Sequence, residues 1–127
     1  MNSFEKLERQ IDYAFKDKEL LKTALTHTSY ANEHRMNKNS KSRTKNNERL
    51  EFLGDSVLNL IITTHLFKAL GRVSEGEMSR IRSTIVCEKS LRDAAEGFDL
   101  KNYLLLGKGE EQTGGRNRDS IIADAME

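Results

Sequence analysis

The stretch from Asn47 to Leu70 constrains this chain more than any other. It contains no proline, in a sequence that has none anywhere, and a single glycine, Gly54. Its apolar residues recur at helical spacing, which predicts one long helix ended by Gly71 in the position of a C-terminal cap. The first turns of that helix carry Glu48, Glu51 and Asp55. Spacings of three and four residues bring all three carboxylates within about 60° of one another. Like charges this close repel, and a bound cation would relieve them. The plainer reading is that acids near a helix N-terminus complement its dipole and stay in water.

Leu50, Leu53, Val57, Leu60 and Ile61 gather on the side opposite the acids, so the first half of the helix is amphipathic. Leu58, Ile62, Leu66 and Leu70 extend the apolar surface to the acidic side in the second half. That half, His65 included, is expected to be buried on several sides. Gly54 costs about 1 kcal/mol in mid-helix relative to alanine. Its presence suits a place where another backbone, a metal or a substrate comes close.

The rest of the chain also reads as helices. Short ones are predicted over 3–10, with Ser3 as cap, and over 17–30, starting at Asp17. Residues 33–46 lose periodicity and carry Arg35, Lys38, Lys41, Arg43 and Lys45 against Glu33, a basic loop. Helices follow over 75–86 and over 88–97, the latter ended by Gly97. Residues 107–118 form a glycine-rich loop. A last helix over 119–127 carries Ile121, Ile122, Ala125 and Met126. The expected fold class is all-α, with no repeat and no strand alternation. At 127 residues, 36% apolar and 32% charged, the chain suits one domain with a small core and a surface left for a partner.

No apolar run is long enough to span a bilayer, so no membrane partner is expected. The single Cys87 rules out an internal disulfide and fits a reducing, cytoplasmic compartment. Lying between Val86 and Glu88, it reads as packing rather than chemistry.

A second acidic pair, Asp124 and Glu127, is spaced by three on the terminal helix. Two helices that each offer paired carboxylates can build an all-oxygen site. Such a site suits Mg²⁺, with Mn²⁺ as a substitute, and argues against zinc. A di-iron carboxylate bundle needs Glu-x-x-His pairs. The residues three before His27, His34 and His65 are Ala24, Ala31 and Ile62, which weakens that option.

The segment Asn47-Glu-Arg-Leu-Glu-Phe-Leu-Gly-Asp-Ser56 resembles the signature of the ribonuclease III family, endonucleases specific for double-stranded RNA. Four more blocks resemble that family in its order over nearly the whole chain. They are Tyr13 to Tyr30 with its Thr26-His27-x-Ser29-Tyr30 end, Glu75 to Arg82, Leu106 to Glu110, and Ser120 to Glu127. The resemblance implies an all-helical endonuclease domain over 1–127 that forms a homodimer. It also implies Mg²⁺-dependent cleavage of double-stranded RNA to 5′-phosphate and 3′-hydroxyl ends, in the processing of rRNA precursors and mRNA.

Carried over residue by residue, Glu51, Asp55, Asp124 and Glu127 match the family's catalytic, metal-binding acids. Glu48 and Glu75 match two further acids at the cleft. Phe52 matches the aromatic knob that enters a socket on the partner subunit. Lys108, Arg116 and Arg118, with the basic residues of 35–45, are candidates for phosphate contacts. His27 and Ser29 read as structural. Full members of the family usually carry two more helices and a double-stranded-RNA-binding domain. Neither is found here, so the domain is expected to be incomplete at its C-terminal end. The competing readings are a catalytically silent RNA-binding or dimerisation module, an inactive fragment, and a helical interaction protein.

Overall fold

The computed structural model describes residues 2–35 and 45–127. Lys38, Lys41 and Arg43 of the expected basic loop lie outside them. The described residues form eight α-helices in order: α1 Ser3–Gln10, α2 Lys18–Ala24, α3 Thr28–Glu33, α4 Glu48–Ala69, α5 Glu75–Ile85, α6 Glu88–Glu96, α7 Lys108–Gln112 and α8 Asp119–Met126. Short 3₁₀ turns at Leu100–Tyr103 and Gly115–Asn117 flank α7. The described residues contain no strand, only one isolated parallel bridge between Thr26 and Leu105, and the fold is all-α as expected.

Side-chain caps explain four of the eight α-helix starts, those of α1, α2, α3 and α5. Asn2, not Ser3, caps α1: its side chain accepts from the Phe4 N–H, and Glu5 accepts from the Asn2 N–H. Asp17 caps α2, and Ser74 caps α5 through the Glu77 N–H. The helix expected over 17–30 breaks at 25–27. There the Leu105 N–H donates to the Leu25 carbonyl and the His27 N–H donates to the Leu105 carbonyl. A tertiary partner takes the backbone groups that a continuous helix would have used. His27 then caps α3 with its ring. The 107–118 segment is not wholly loop, since it holds α7 and a 3₁₀ turn joined through Gly114 at φ 82°. Gly97 ends α6 as expected, as its C-cap in the right-handed region at φ −59°, while the C-cap of α4 is Leu70 and Gly71 follows it.

The core is built from Leu7, Leu21, Leu25, Ala95, Leu100, Tyr103, Leu104, Leu106, Ile121 and Ile122. These come from α1, α2, α6, α8 and the 100–106 segment; α4 contributes none. The expectation that its second half is buried is overturned. Leu66 is the one buried residue of α4, while Phe52 is 79% exposed, Leu60 67% and Phe67 72%. His65 is exposed too. The reason is architectural: α4 lies against α5 and α8 at the edge of the domain, and its apolar surface outruns what those two helices cover. Cys87 is likewise exposed, capping α6, and its Sγ donates to the Ser90 hydroxyl at 3.2 Å. The Ser90 hydroxyl and backbone amides hold that thiol below its usual pKa.

One ion pair, between a buried Glu8 and an exposed Lys18, went unread in the sequence. Glu8, only 7% exposed, accepts from the Lys18 ammonium at 2.6 Å and from the Phe15 N–H at 2.7 Å. Those bonds, the Lys18 contact first, hold its carboxyl below the ordinary range and fix the α1–α2 connection.

Candidate metal centre

The first turn of α4 is pinned at Asn47, which is buried. The Asn47 N–H donates to the Thr26 carbonyl at 2.9 Å, and its side-chain amide donates to the Ala24 carbonyl at 3.1 Å. Asn47 thus anchors α4 to the α2–α3 junction, and Glu51 follows one helical turn later. On the other side, α8 is packed against α6 by Ile121 and Ile122. An ion pair from Arg92 on α6 to Asp119 on α8, at 3.2 Å, adds to that contact.

The crossing of α4 and α8 is closed at Gly54. A β-carbon there would lie 2.0 Å from the Glu127 carbonyl oxygen and 2.6 Å from its carbonyl carbon. No side chain fits, so the glycine permits the backbone-to-backbone approach that its mid-helix position suggested.

This crossing brings Glu51, Asp124 and Glu127 together, each offering a carboxylate oxygen within 4.8 Å of the others. The electrostatics record the crowding. Glu127 is pushed up to about 7, first by burial, then by its hydrogen bond with Glu51, then by the charges of Asp55, Glu51 and Asp124. Asp124 is also raised, by burial first and then by Glu51 and Glu88, with His27 opposing. The donor set is all oxygen, with no sulfur or imidazole in the cluster. It therefore fits a hard divalent cation, which would offset the repulsion that the fold sustains.

Asp55 lies outside that tight group. It is exposed one turn further along α4, holds Asn59 Nδ2 at 3.4 Å, and reaches the centre through its charge on Glu127. Glu48 is exposed at the start of α4. Glu75 is not brought to the cluster within one chain. It accepts from Ser79 Oγ at 3.0 Å in a groove with Thr63, Leu66, Phe67 and Arg82. Along α4 that groove is roughly 18 Å from Glu51 at 1.5 Å per residue.

The basic candidates divide. Arg116 forks onto Glu111 at 2.7 and 2.6 Å and donates to the Lys101 and Leu104 carbonyls. Arg118 pairs with Glu110. Both guanidinium groups thus help to hold the 101–118 segment. Lys108 is exposed at the start of α7, as are Arg35 and Lys45. Two residues near the centre were not singled out for it from the sequence: Glu88, with its charge on Asp124, and Asn47, whose buried amide no helical pattern betrays.

Residues 17–127 match the pattern of the family described as ribonuclease-III-like. The chain belongs to that family. Over all 127 residues it is 48% identical to the ribonuclease 3 of Listeria monocytogenes, of which it covers 53%. Over 121 residues it is 54% identical to that of Caldanaerobacter subterraneus subsp. tengcongensis, of which it covers 50%. The chain thus spans about half the length of these curated relatives. Among solved structures, the nuclease domain of ribonuclease III from Campylobacter jejuni superposes with a TM-score of 0.85 at 42% identity, covering 98% of this chain and 79% of that one. That structure is described for flexibility in a region involved in dimer formation. The ribonuclease-III-like chain described here therefore has the all-α nuclease fold of its relatives, with three carboxylates at the α4–α8 crossing.

Proposed function

We propose that this chain is the catalytic domain of a double-strand-specific endoribonuclease that hydrolyses phosphodiester bonds in a Mg²⁺-dependent reaction. The single observation that carries this reading is the convergence of Glu51, Asp124 and Glu127, two helices' carboxylates within 4.8 Å at the surface of a ribonuclease-III-like fold. These three would hold Mg²⁺, or Mn²⁺ in its place, and Asp55 lies close enough to complete the set through its charge. A divalent ion so bound supplies a coordinated water of lowered pKa and neutralises charge on the scissile phosphate. With no cation present the crowding raises Glu127 to about 7, and a bound divalent ion would relieve that repulsion and hold the carboxylates ionised. Hydrolysis in this sense leaves a 5′-phosphate and a 3′-hydroxyl.

The same reading includes a homodimer. Leu53, Val57, Leu60, Ile61 and Phe67 fall within about 120° of arc on α4, with Phe52 at the flank, and all are exposed. A stripe of this kind is what soluble monomers avoid. A second copy covering it with its own α4 would seat Phe52 in a socket on the partner and place two acidic centres along one valley. Glu75, remote from the centre within one chain, and Glu48 then act at the cleft. An A-form duplex is held by phosphate and 2′-hydroxyl contacts, with Lys108 and the exposed Arg35 and Lys45 as the available cations. Processing of rRNA precursors and mRNA in the cytoplasm is the corresponding role. Among the described residues no helix is long and apolar enough to cross a membrane.

The test is incubation of the purified chain with long double-stranded RNA in Mg²⁺, in EDTA, and with Glu127→Gln. Cleavage only by the unaltered chain in Mg²⁺ supports the reading. Equal cleavage by the variant refutes the acidic centre as the carrier of the activity, and cleavage by neither refutes the reading for this chain and favours the silent-module alternative.

A further inference from the structure

We propose that Asn47 is a positioning residue for the acidic centre: it clamps the start of α4 to two carbonyls of the α2–α3 junction and so sets where Glu51 stands against Asp124 and Glu127. The proposal rests on the metal reading above and adds a residue to it.

The clamp answers a need of α2. The end of a helix leaves carbonyls with no partner inside the helix. The Leu25 carbonyl takes the Leu105 N–H at 2.9 Å. The carbonyls on either side of it both go to Asn47. That of Ala24 accepts from the side-chain Nδ2 at 3.1 Å, and that of Thr26 accepts from the backbone N–H at 2.9 Å. Asn supplies both donors from one residue, where an ionised Asp would keep only the backbone one. The Asn47 side chain makes no hydrogen bond to the first turn of α4, although Asn is among the best residues for that task. Asn46 does it instead. Its Oδ1 accepts from the Glu48 N–H at 3.0 Å, while its Nδ2 reaches Thr28 Oγ1 only at 3.5 Å. The buried Asn47 amide thus holds α4 against the junction and does not start the helix.

The second hold on α4 is Gly54, through the close approach of the Glu127 backbone. At about 100° per residue, Gly54 falls about 20° from Asn47 around the helix, and Glu51 about 40° from it. The two holds therefore share a face of α4, and Glu51 lies between them along the axis. One hold alone leaves the helix able to pivot about it; two on one face fix both its rotation and its tilt. Asn47, Glu51, Gly54, Asp124 and Glu127 line one groove. Glu51 also donates its N–H to the Asn47 carbonyl at 2.8 Å, which ties the ligand's own backbone to the clamp. Groups that orient the ligands of a cation set its affinity.

Neighbouring substitutions separate this role from helix stability. Asn46→Ala removes the bond to the Glu48 N–H and leaves the clamp. Asn47→Ala removes the clamp's side-chain donor. Asn47→Ser does the same with a residue favoured at helix starts, since its hydroxyl ends short of the Ala24 carbonyl, and it decides the matter if the alanine variant does not fold. Mn²⁺ binding is measured by calorimetry on the whole chain without RNA, at a temperature where melting of the metal-free proteins shows each to be folded. The expected result is that Asn46→Ala melts lower and keeps its Mn²⁺ affinity, whereas both Asn47 variants, folded, lose about 10-fold or more. Wild-type affinity in folded Asn47→Ser overturns the role of Asn47 alone. So does an equal loss in Asn46→Ala, which would make affinity follow stability. An unaltered chain that binds no Mn²⁺ overturns the metal reading and this role with it.

Discussion

Replacing Glu127 with Gln should make the metal-free chain more stable at alkaline pH and no more stable in acid. Folding lifts this carboxyl from the ordinary 4.5 to about 7. The folded state therefore holds the proton more tightly than the unfolded state. Below about pH 4.5 both states are protonated and the group costs nothing. As pH rises through the window from 4.5 to about 7 the unfolded chain ionises first, and stability falls. Above that window the full penalty applies. At about 1.4 kcal/mol per pKa unit it is at most roughly 3 kcal/mol. Glu127 is only half-buried, so water screens the repulsion and about 1–2 kcal/mol is the figure to expect. Gln removes the charge and still offers an N–H to Glu51. In a domain of this size the gain appears as a rise of about 5 °C in melting temperature. The assay is urea and thermal denaturation in EDTA at pH 5 and pH 8, repeated with Mg²⁺. Only the unaltered chain should gain stability from Mg²⁺. A variant that is equally or less stable at pH 8, or that gains as much at pH 5, would refute the reasoning.

Three further outcomes follow from other parts of the molecule. Gly54→Ala should leave helix content intact, since alanine is the better helix former, but push α8 from α4. Calorimetry should then show Mn²⁺ affinity at least 10-fold weaker, and an unchanged affinity would mean that the close backbone approach is unimportant. Leu60→Lys, at a position 67% exposed in the single chain, should leave the fold unaltered and convert a dimer into a monomer in sedimentation; equal mass for both proteins would count against the α4 stripe as the interface. Glu8→Gln should flatten the acid limb of stability. The Glu8 carboxyl is lowered by Lys18 and Phe15, so its contribution is present above about pH 4.5 and lost as pH falls through the folded value. Stability measured from pH 6 to pH 3 should therefore decline more steeply in the unaltered chain, and parallel curves would refute the pair's role.

Much of the site was readable because its parts are local. The spacing of Glu48, Glu51 and Asp55, the pair Asp124 and Glu127, and the tight place at Gly54 are all properties of single helices, and periodicity reports them directly. What escaped depends on contacts across the chain. The break after Leu25 exists because Leu105 comes alongside, and nothing near residue 25 announces that partner. The ion pairs of Arg116 with Glu111 and of Arg118 with Glu110 form only once the segment folds back. The burial expected for the second half of α4 was inferred from composition, yet composition records how much a surface needs covering and not which molecule covers it. The fold leaves that surface open, and the proposed homodimer is the reading that accounts for it.

The bridge between Thr26 and Leu105 has a kinetic consequence. It joins strongly separated parts of the chain at the point where Asn47 also docks, so the α2–α3 junction, the start of α4 and the 105–107 segment lock as a set. The carboxylates of Glu51 and Glu127 come from opposite halves of the sequence and can meet only after that long loop has closed. Affinity for the proposed cation would then be a property of the completed fold: fraying of α8 alone would release it, and added Mg²⁺ is expected to slow unfolding without speeding the early steps of folding.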